Sequence, residues 1–492
     1  RWLPDLTRDA HGYWIYVRDV QSKLLWSVGR RPTNTANGTE NTIFHQHKVE
    51  MLRREQGLTT HMEATVAPGD DVEMRHITVT NEQDVERVIE FTSYAEVVLA
   101  PPLDDERHPA FSKMFVGSSY LPDQDGLLFE RRPRRPEMQY PVLLHKLQTD
   151  DPNVGISSYE TERGSFIGRN GTLDDPRGLR EGLSRSTGWT LDPIMALQVR
   201  VQLKPLETKQ FSLLTIVANT RAAVFEVARK YQTPDLEWVF DEASRDQARE
   251  VSRLEIDPNR LPELQALSSL LVQPSSRLRE PPASLAANRY GQPDLWRFGI
   301  SGDLPILLMR IGDEEGSALL DLLVRAQQLW RHGGLQVDIV MLRTGTAGYE
   351  EPVRDQILSI LRDAHAYGFL GRSGGIHLLS QNHMDADSIK AIESAAHVVL
   401  HEGHEALAAT LDGVLERRTM PPRFEPPVPA RFETTAPLAR PEGLEFDNGY
   451  GGFDTNKKEY VIHLEPGMHT PAPWCNVLAN DTFGSIVTEA GL

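Results

Sequence analysis

The chain lacks the features that mark disulfide-stabilised, membrane-spanning and nucleic-acid-binding proteins. Cys475 is the single cysteine among 492 residues, so no disulfide can form within the chain, as fits a reducing compartment. No run of about 18 apolar residues occurs, so no bilayer-spanning helix is predicted. The 52 basic residues are outnumbered by 70 acidic ones, and the net charge is −18. That sign disfavours a nucleic-acid partner and suits a neutral ligand, although solubility alone explains it equally well.

Complete catalytic and cofactor motifs are also missing. The string HEGH at residues 401–404 resembles the zinc motif HExxH, but Glu405 stands where the second histidine is needed. Residues 345–348, GTAG, follow a predicted strand and precede a predicted helix, yet no GxGxxG is present. Residues 299–303, GISGD, lead into a strand instead of a helix, which favours a structural turn over a phosphate site. We therefore predict no catalytic residue, no metal site and no cofactor.

Three groups of titratable residues could still carry chemistry. His397, His401 and Glu405 are spaced to share one face of a predicted helix, which we interpret as a solvated polar face. His45 and His47 alternate along an extended stretch, which places them on a strand surface. The acidic residues 104–106 lie beside His108 and could form an acid–base pair, but the surrounding prolines favour an exposed loop.

Aromatic residues matter for sugar binding because a flat apolar ring stacks on a pyranose face. The tryptophans considered for this role are Trp14, Trp26, Trp189, Trp296 and Trp474. Most are predicted to lie in the core, and the carbohydrate-contacting residues stay unknown at this stage.

Residues 1–219 are predicted to be all-β. Alternating apolar residues and turn signals recur at the spacing of a sandwich or barrel. The predicted strands are Tyr13–Asp19, which pairs with Leu24–Val28 as a hairpin, then Val49–Glu55, Leu58–Ala67, Val72–Thr80, Val85–Val98, Trp189–Leu203 and Gln210–Ala218.

The pattern changes twice after that segment. Residues 220–294 form a predicted helical linker, with helices at Arg221–Ala228, Pro234–Glu255 and Leu261–Val272. Residues 295–419 alternate strand and helix with short connections, which predicts a small parallel α/β layer. Its strands are Ile306–Ile311, Leu335–Leu342 and Ile376–Leu379, and its helices are Ala318–Arg331, Pro352–Tyr367 and Asp385–His401.

A proline-rich stretch separates the last segment from the rest. Residues 420–443 contain prolines that favour a stiff, extended linker. Residues 444–492 then predict new strands at Glu459–Leu464 and Phe483–Thr488 and are interpreted as the start of a second sandwich. The chain begins at Arg1 instead of Met, so we expect it to be an internal piece of a larger protein.

Several stretches resemble a known family. The order YGGFD, EYVI, TPAPW and FG within residues 450–484 is similar to the opening of the cellobiose-phosphorylase type of glycoside hydrolase family 94. The segments LLWSVGRRPT, GRNGTLDDPRGL and LWRFGISGDLPILLMRI resemble the region before the family-94 barrel in cyclic β-1,2-glucan synthases. The resemblance implies a multidomain protein with a galactose-mutarotase-like β-supersandwich, a helical and α/β connector, and the start of a second supersandwich.

The resemblance also implies a function for the whole protein. The synthases build β-1,2-glucan with a membrane glycosyltransferase and control its length by phosphorolysis in the family-94 module. The catalytic aspartate belongs to a helical barrel, which in the family follows such a stretch, so no residue here takes that role. The segment is expected to be a non-catalytic scaffold or glucan-binding part, soluble itself, on the cytoplasmic side of a bacterial inner membrane. Its implied partners are β-glucan and the other domains of the polypeptide, with homo-oligomerisation left open. The alternatives are an accessory part of a stand-alone phosphorylase and a carbohydrate-binding module.

Overall fold

The computed structural model describes residues 11–33, 35, 38–135, 137–233, 235–312, 317–344, 352–401, 407–415 and 436–491. Within these residues no helix is both long and apolar enough to cross a membrane. Predicted features at residues 345–348, at Pro234, at Glu405 and over most of the 420–443 linker lie outside the described residues.

The first segment is built from antiparallel strands. They are β1 (Trp14–Asp19), β2 (Leu25–Ser27), β3 (Thr39–Phe44), β4 (Val49–Glu55), β5 (Leu58–Val66), β6 (Val72–Asn81), β7 (Arg87–Glu96), β8 (Val116–Leu121), β9 (Gly126–Arg131), β10 (Val142–Gln148), β11 (Val154–Glu162), β12 (Gly188–Trp189), β13 (Pro193–Leu203) and β14 (Thr208–Ala218). Short helices interrupt them at α1 (Pro102–Arg107), α2 (Pro109–Lys113), α3 (Arg163–Ile167) and α4 (Arg177–Glu181).

These strands form two sheets around one core. The smaller sheet has the order β11-β13-β7-β1-β2, and the larger has the order β12-β8-β9-β10-β14-β6-β5-β4-β3. Side chains from both sheets meet in a single buried cluster that includes Val17, Phe91 and Val199 from one sheet and Ile77, Phe129 and Leu213 from the other. The predicted hairpin and sandwich are thus confirmed. The sequence between residues 99 and 188 predicted no strand bounds, whereas β8 to β11 lie there.

Strand β5 shows how the alternation of residues sets the two faces of the large sheet. Leu58, Thr60 and Met62 are buried on the core side, while His61 and Glu63 point to the opposite face and are half-buried. Successive side chains of a strand point to opposite faces, so the polar set is placed outward as soon as the apolar set is placed inward.

Two helices cover part of that outer face. Helix α5 (Arg221–Lys230) begins at Thr220, whose side-chain oxygen accepts a hydrogen bond from the Ala223 amide at 3.2 Å. Helix α6 (Glu237–Arg253) follows. Val224, Ala228 and Val239 of these helices pack on apolar residues of the sheet such as Met74 and Leu214, forming a second buried cluster. The cluster anchors the start of α6 beside strands β5 and β6.

The α/β layer follows the helix α7 (Leu261–Val272) and the short helix α8 (Pro282–Ala287). Its elements are β15 (Ile306–Ile311), α9 (Ser317–His332), β16 (Asp338–Arg343), α10 (Pro352–Asp363), β17 (Ile376–Ser380), α11 (Ala386–Ala395), β18 (Val398–His401) and α12 (Leu407–Leu415). The strands are parallel in the order β17-β16-β15-β18. Both faces of this sheet are buried, which explains the continuous apolar runs in its strands.

One predicted helix of this layer is partly wrong. The stretch Asp385–His401 was predicted to be a single helix, but α11 ends at Ala395 and residues 398–401 form the fourth parallel strand. Pairing of Leu307 to Arg310 with Val398 to His401 along β15 overrides the helical pattern. The run Val398-Val399-Leu400 is the β-favouring signal that the helical period concealed.

The last part of the chain contains two small hairpins. Strands β19 (Gly451–Asp454) and β20 (Glu459–Ile462) pair with each other, as do β21 (Cys475–Ala479) and β22 (Gly484–Thr488). Arg169, in a loop of the first sandwich, reaches Glu489 at 2.6 Å, and Asn170 lies 3.2 Å from His469. The predicted architecture of a sandwich, helices, an α/β layer and further strands is confirmed. The exact domain boundaries stay a prediction.

Candidate functional site

A polar patch lies on the outer face of the large sheet, where the antiparallel register aligns side chains from four strands. Glu50 of β4 is opposite Glu63 of β5, which is opposite His76 of β6. His61 is opposite Thr78, which is opposite Gln210 of β14. Directly opposed residues in an antiparallel sheet share a face with Cβ atoms about 5 Å apart. The register alone therefore collects these side chains.

The start of α6 turns the patch into a cleft, with a volume of about 630 Å³. The sheet contributes its floor, and residues 235–241 contribute a wall. The lining residues are His61, Glu63, His76, Thr78 and Gln210 from the sheet, and Asp235, Leu236, Glu237, Phe240 and Asp241 from the wall.

Hydrogen bonds fix two of the floor side chains. The Nδ1 atom of His76 lies 3.0 Å from the Ser212 hydroxyl, and the Gln210 side-chain amide donates to the Thr78 hydroxyl at 3.3 Å. Burial lowers the pKa of His76 below its ordinary value. Because Ser212 engages Nδ1, a neutral His76 ring leaves Nε2 to donate or to accept one further hydrogen bond, according to its tautomer.

A charged cluster occupies one end of the cleft. The Lys48 ammonium lies 2.7 Å from Glu50 and 2.6 Å from Glu63, and His61 Nε2 lies 3.2 Å from Glu50. The hydrogen bond from Lys48, opposed by partial burial and assisted by His61, lowers the pKa of Glu50 to about 2. Lys48 also lies 5.9 Å from the centre of the Phe240 ring, which joins the cluster to the cleft wall.

The cleft combines several carboxylate acceptors, amide and imidazole groups, and one aromatic ring. Ligand sites typically combine a few convergent polar groups with apolar surface. This set can accept hydrogen bonds from several hydroxyl groups and can contact one apolar face. It fits a neutral polyhydroxylated ligand better than an anion, because Asp235, Glu237 and Asp241 line the wall.

The tryptophans are distributed differently from the prediction. Of the five considered, Trp26 is buried, Trp14 and Trp474 are half-buried, and Trp189 and Trp296 are 63% and 61% exposed. The prediction that most lie in the core is therefore wrong. Trp189 sits on the edge strand β12, and its ring covers Gly117, where an added Cβ would lie 3.1 Å from the ring. Trp189 lies outside the core because its strand is at the edge of the sheet and because Gly117 leaves room for its ring on the sheet surface.

The histidine candidates do not form the predicted helix face. His397 precedes β18 and its Nδ1 accepts a hydrogen bond from the Ile306 amide at 3.2 Å, while His401 ends that strand. Residues four apart in extended chain are separated by about 13 Å, too far to share one metal ion. His45 and His47 lie in the turn between β3 and β4, not on a strand, because β3 ends at Phe44.

Two further predictions concern loops. Residues 104–106 lie in helix α1, not in an exposed loop, and Asp105 is buried. The proline at its first helical position explains the helix, because proline is well tolerated there.

Residues 299–303 form a turn before β15, in which Gly299 adopts a φ of 74° and the Gln292 side chain donates to the Ser301 carbonyl at 2.9 Å. The prediction of no catalytic residue, metal or cofactor stays a prediction.

The cleft residues were not singled out from the sequence, apart from the neighbouring His45. The alternation in β5 placed His61 and Glu63 on the polar face, which was an available signal. No short-range sequence pattern indicated that these residues lie near Gln210 or Asp235, which are about 150 to 170 positions later in the chain. The order of the strands in the sheet brings them together.

Comparisons with known proteins connect the chain to carbohydrate-active proteins. The model of the glycosyl hydrolase 94 supersandwich domain matches residues 1–234 and 458–492. The cyclic beta-(1,2)-glucan synthase NdvB of Rhizobium meliloti (strain 1021) is 27% identical over 507 residues, covering 100% of this chain and 18% of that protein. Solabiose phosphorylase of Paenibacillus borealis is 25% identical over 241 residues, covering 48% of this chain and 29% of that protein. The chain thus spans less than a third of the length of these relatives.

Among solved structures, a bacterial glucoamylase complexed with acarbose shares 7% sequence identity. The match has a TM-score of 0.32 and covers 48% of this chain and 31% of that chain.

Proposed function

Because the chain belongs to the glycosyl hydrolase 94 supersandwich family, we propose that it is a non-catalytic, glucan-binding scaffold segment of a cyclic β-1,2-glucan synthase. The match to a glucan synthase over the whole chain, including the helical and α/β segments, supports the synthase over a phosphorylase. The phosphorylase relative covers only 48% of the chain. In this role the whole protein is a glycosyltransferase and glycoside phosphorylase, and this segment holds and orients glucan near its other domains.

The single observation that carries the binding proposal is the polar cleft between the large sheet and α6. Its carboxylates and its histidine and glutamine side chains converge on a volume of about 630 Å³. A neutral glucan brings many hydroxyl groups and no charge, so an acidic chain does not repel it. Each neutral hydrogen bond contributes roughly 0.5–1.5 kcal/mol, so several are needed for measurable affinity.

Calorimetric titration of the purified chain with linear and cyclic β-1,2-glucans tests this proposal. We expect saturable binding that weakens in Gln210→Ala and Asp241→Asn, each by roughly 0.5–1.5 kcal/mol. Both residues are exposed at the cleft, so neither substitution should disturb folding.

Trp189→Ala provides the matched control, since it removes an exposed aromatic platform far along the sheet order from the cleft. Binding lost only in Trp189→Ala would move the site to that edge strand. If neither glucan binds, the glucan-binding part of the proposal is wrong and only the scaffold role remains.

The proposal also states that this segment has no turnover. Incubation with β-1,2-glucan and inorganic phosphate should release no glucose 1-phosphate above the level of a protein-free control. Phosphate-dependent release that scales with protein concentration would overturn the non-catalytic assignment.

The remaining alternative is an accessory segment of a stand-alone family-94 phosphorylase. The genomic sequence on either side decides between the two. A membrane-spanning glycosyltransferase upstream supports the synthase and a position on the cytoplasmic face of a bacterial inner membrane. A single family-94 barrel without that glycosyltransferase supports the phosphorylase.

A further inference from the structure

The charged cluster at the end of the cleft has the composition of a metal site. Glu50, His61 and Glu63 each direct one ligand atom into a common space, and these atoms lie within 4.8 Å of one another. The three side chains come from adjacent strands β4 and β5, where Glu50 is directly opposite Glu63. Their backbone positions are therefore set by sheet hydrogen bonds, as a preorganised site requires.

Imidazole nitrogen together with carboxylate oxygen is a donor set that zinc prefers. His61 Nε2 lies 3.2 Å from Glu50 Oε2, close to the separation of about 3.3 Å expected between two ligands of a tetrahedral zinc ion with bonds near 2.0 Å. His45 Nε2 contacts the other oxygen of this carboxylate, Glu50 Oε1, at 2.9 Å and does not belong to the three-ligand group.

A protein cation already sits between the two carboxylates. The Lys48 ammonium contacts Glu50 and Glu63 at 2.7 and 2.6 Å, so this space is built to hold positive charge. Lys48 is on the turn side of β4 and has a long flexible side chain, so its ammonium can swing towards solvent without moving the sheet. The acidic wall residues Asp235, Glu237 and Asp241 line the same cleft and attract further cations.

We propose that Glu50, His61 and Glu63 bind a divalent transition-metal ion of the zinc type as a three-ligand site, in exchange for the Lys48 ammonium. Because His61 and Glu63 also line the cleft, the bound ion would face the ligand space. The proposal does not depend on glucan binding, since the metal is measured in the absence of sugar.

Competition between the purified chain and a chromophoric chelator for Zn²⁺ tests the site, with Co²⁺ absorption as a second readout of nitrogen and oxygen ligation. We expect one high-affinity ion per chain. His61→Gln and Glu63→Gln should each weaken binding by about 10- to 100-fold or more, since even outer-shell ligand partners have effects of that size. Lys48→Met should strengthen binding, because it removes the competing ammonium.

His332→Gln is the matched control, since His332 lies 3.3 Å from Asp246 in a histidine–carboxylate pair outside the cleft. It should leave the affinity unchanged. Circular dichroism of each variant verifies folding. The proposal would be overturned by any of three results. These are no stoichiometric metal binding, an unchanged metal affinity in both His61→Gln and Glu63→Gln, or a lower metal affinity in Lys48→Met.

Discussion

Acidification from about pH 7.5 to about pH 5.0 should destabilise the first sandwich through His145. This residue is fully buried on β10, in the middle of the large sheet. Its Nε2 lies 2.9 Å from the Ser93 hydroxyl on β7 of the opposite sheet, and its Nδ1 lies 3.2 Å from the Thr215 hydroxyl. The imidazole thus provides a polar link between the two sheets inside an apolar core.

Burial lowers the pKa of His145 to about 3, and the nearby Arg75 guanidinium acts in the same direction. An unfolded histidine titrates near 6.5. Between these two values the unfolded chain binds a proton that the folded chain does not, so stability falls as the pH falls below about 6.5.

The size of the effect follows from the pKa difference. Protonation of the histidine stabilises the unfolded state by about 1.36 kcal/mol for each pH unit below 6.5. At about pH 5.0 the free energy of unfolding is therefore lower by about 2 kcal/mol. This value is insensitive to the folded pKa as long as that pKa stays below about 4.5. With a folded pKa of about 3, the loss would reach roughly 4 kcal/mol near pH 3.

Hydrogen exchange followed by mass spectrometry gives the opening free energy of the β10 and β14 amides at the two pH values, after correction for intrinsic exchange rates. Other groups titrate in the same range, so the informative quantity is the comparison with His145→Gln. This variant should lose stability at neutral pH but should show a pH dependence smaller by about 2 kcal/mol. An equal pH dependence in the two proteins would refute the neutral, buried state of His145.

Two further substitutions test the packing of the sandwich. Arg87→Met should destabilise it by about 3–5 kcal/mol in urea denaturation, because Arg87 donates to the buried Asp19 carboxylate at 2.6 and 2.9 Å and its loss leaves that charge unpaired. The double variant Asp19→Asn/Arg87→Met should regain part of the loss, and full additivity would contradict the ion-pair explanation. Gly126→Ala should cost about 1–3 kcal/mol, since the added Cβ would lie 2.6 Å from a backbone carbonyl oxygen of β10. Gly155→Ala, also on a strand but with nothing within 4 Å of the added Cβ, should be nearly neutral, and similar melting temperatures for both alanine variants would refute the clash.

Local pattern predicted those elements whose burial is decided within a few residues. The alternation of β5 and the apolar runs of β15 and β16 gave correct strands, and Thr220 marked the start of α5. Local pattern was misleading at residues 398–401, where a short buried strand follows a helix and pairing with β15 decides the structure. A four-residue run carries too little periodicity to separate the two states.

The sequence by itself determined the class of the fold, the acidic charge and the family resemblance. These depend on the amino-acid composition, on hydrophobic periodicity within short stretches and on the order of short motifs, all of which can be read without the fold. Only the tertiary structure brought the residues of the candidate cleft together. The register across β4, β5, β6 and β14 brings together residues that are far apart in the chain, and α6 covers one side of them. The exposure of Trp189 and Trp296 was decided in the same way, because it depends on which faces and edges the rest of the chain leaves uncovered.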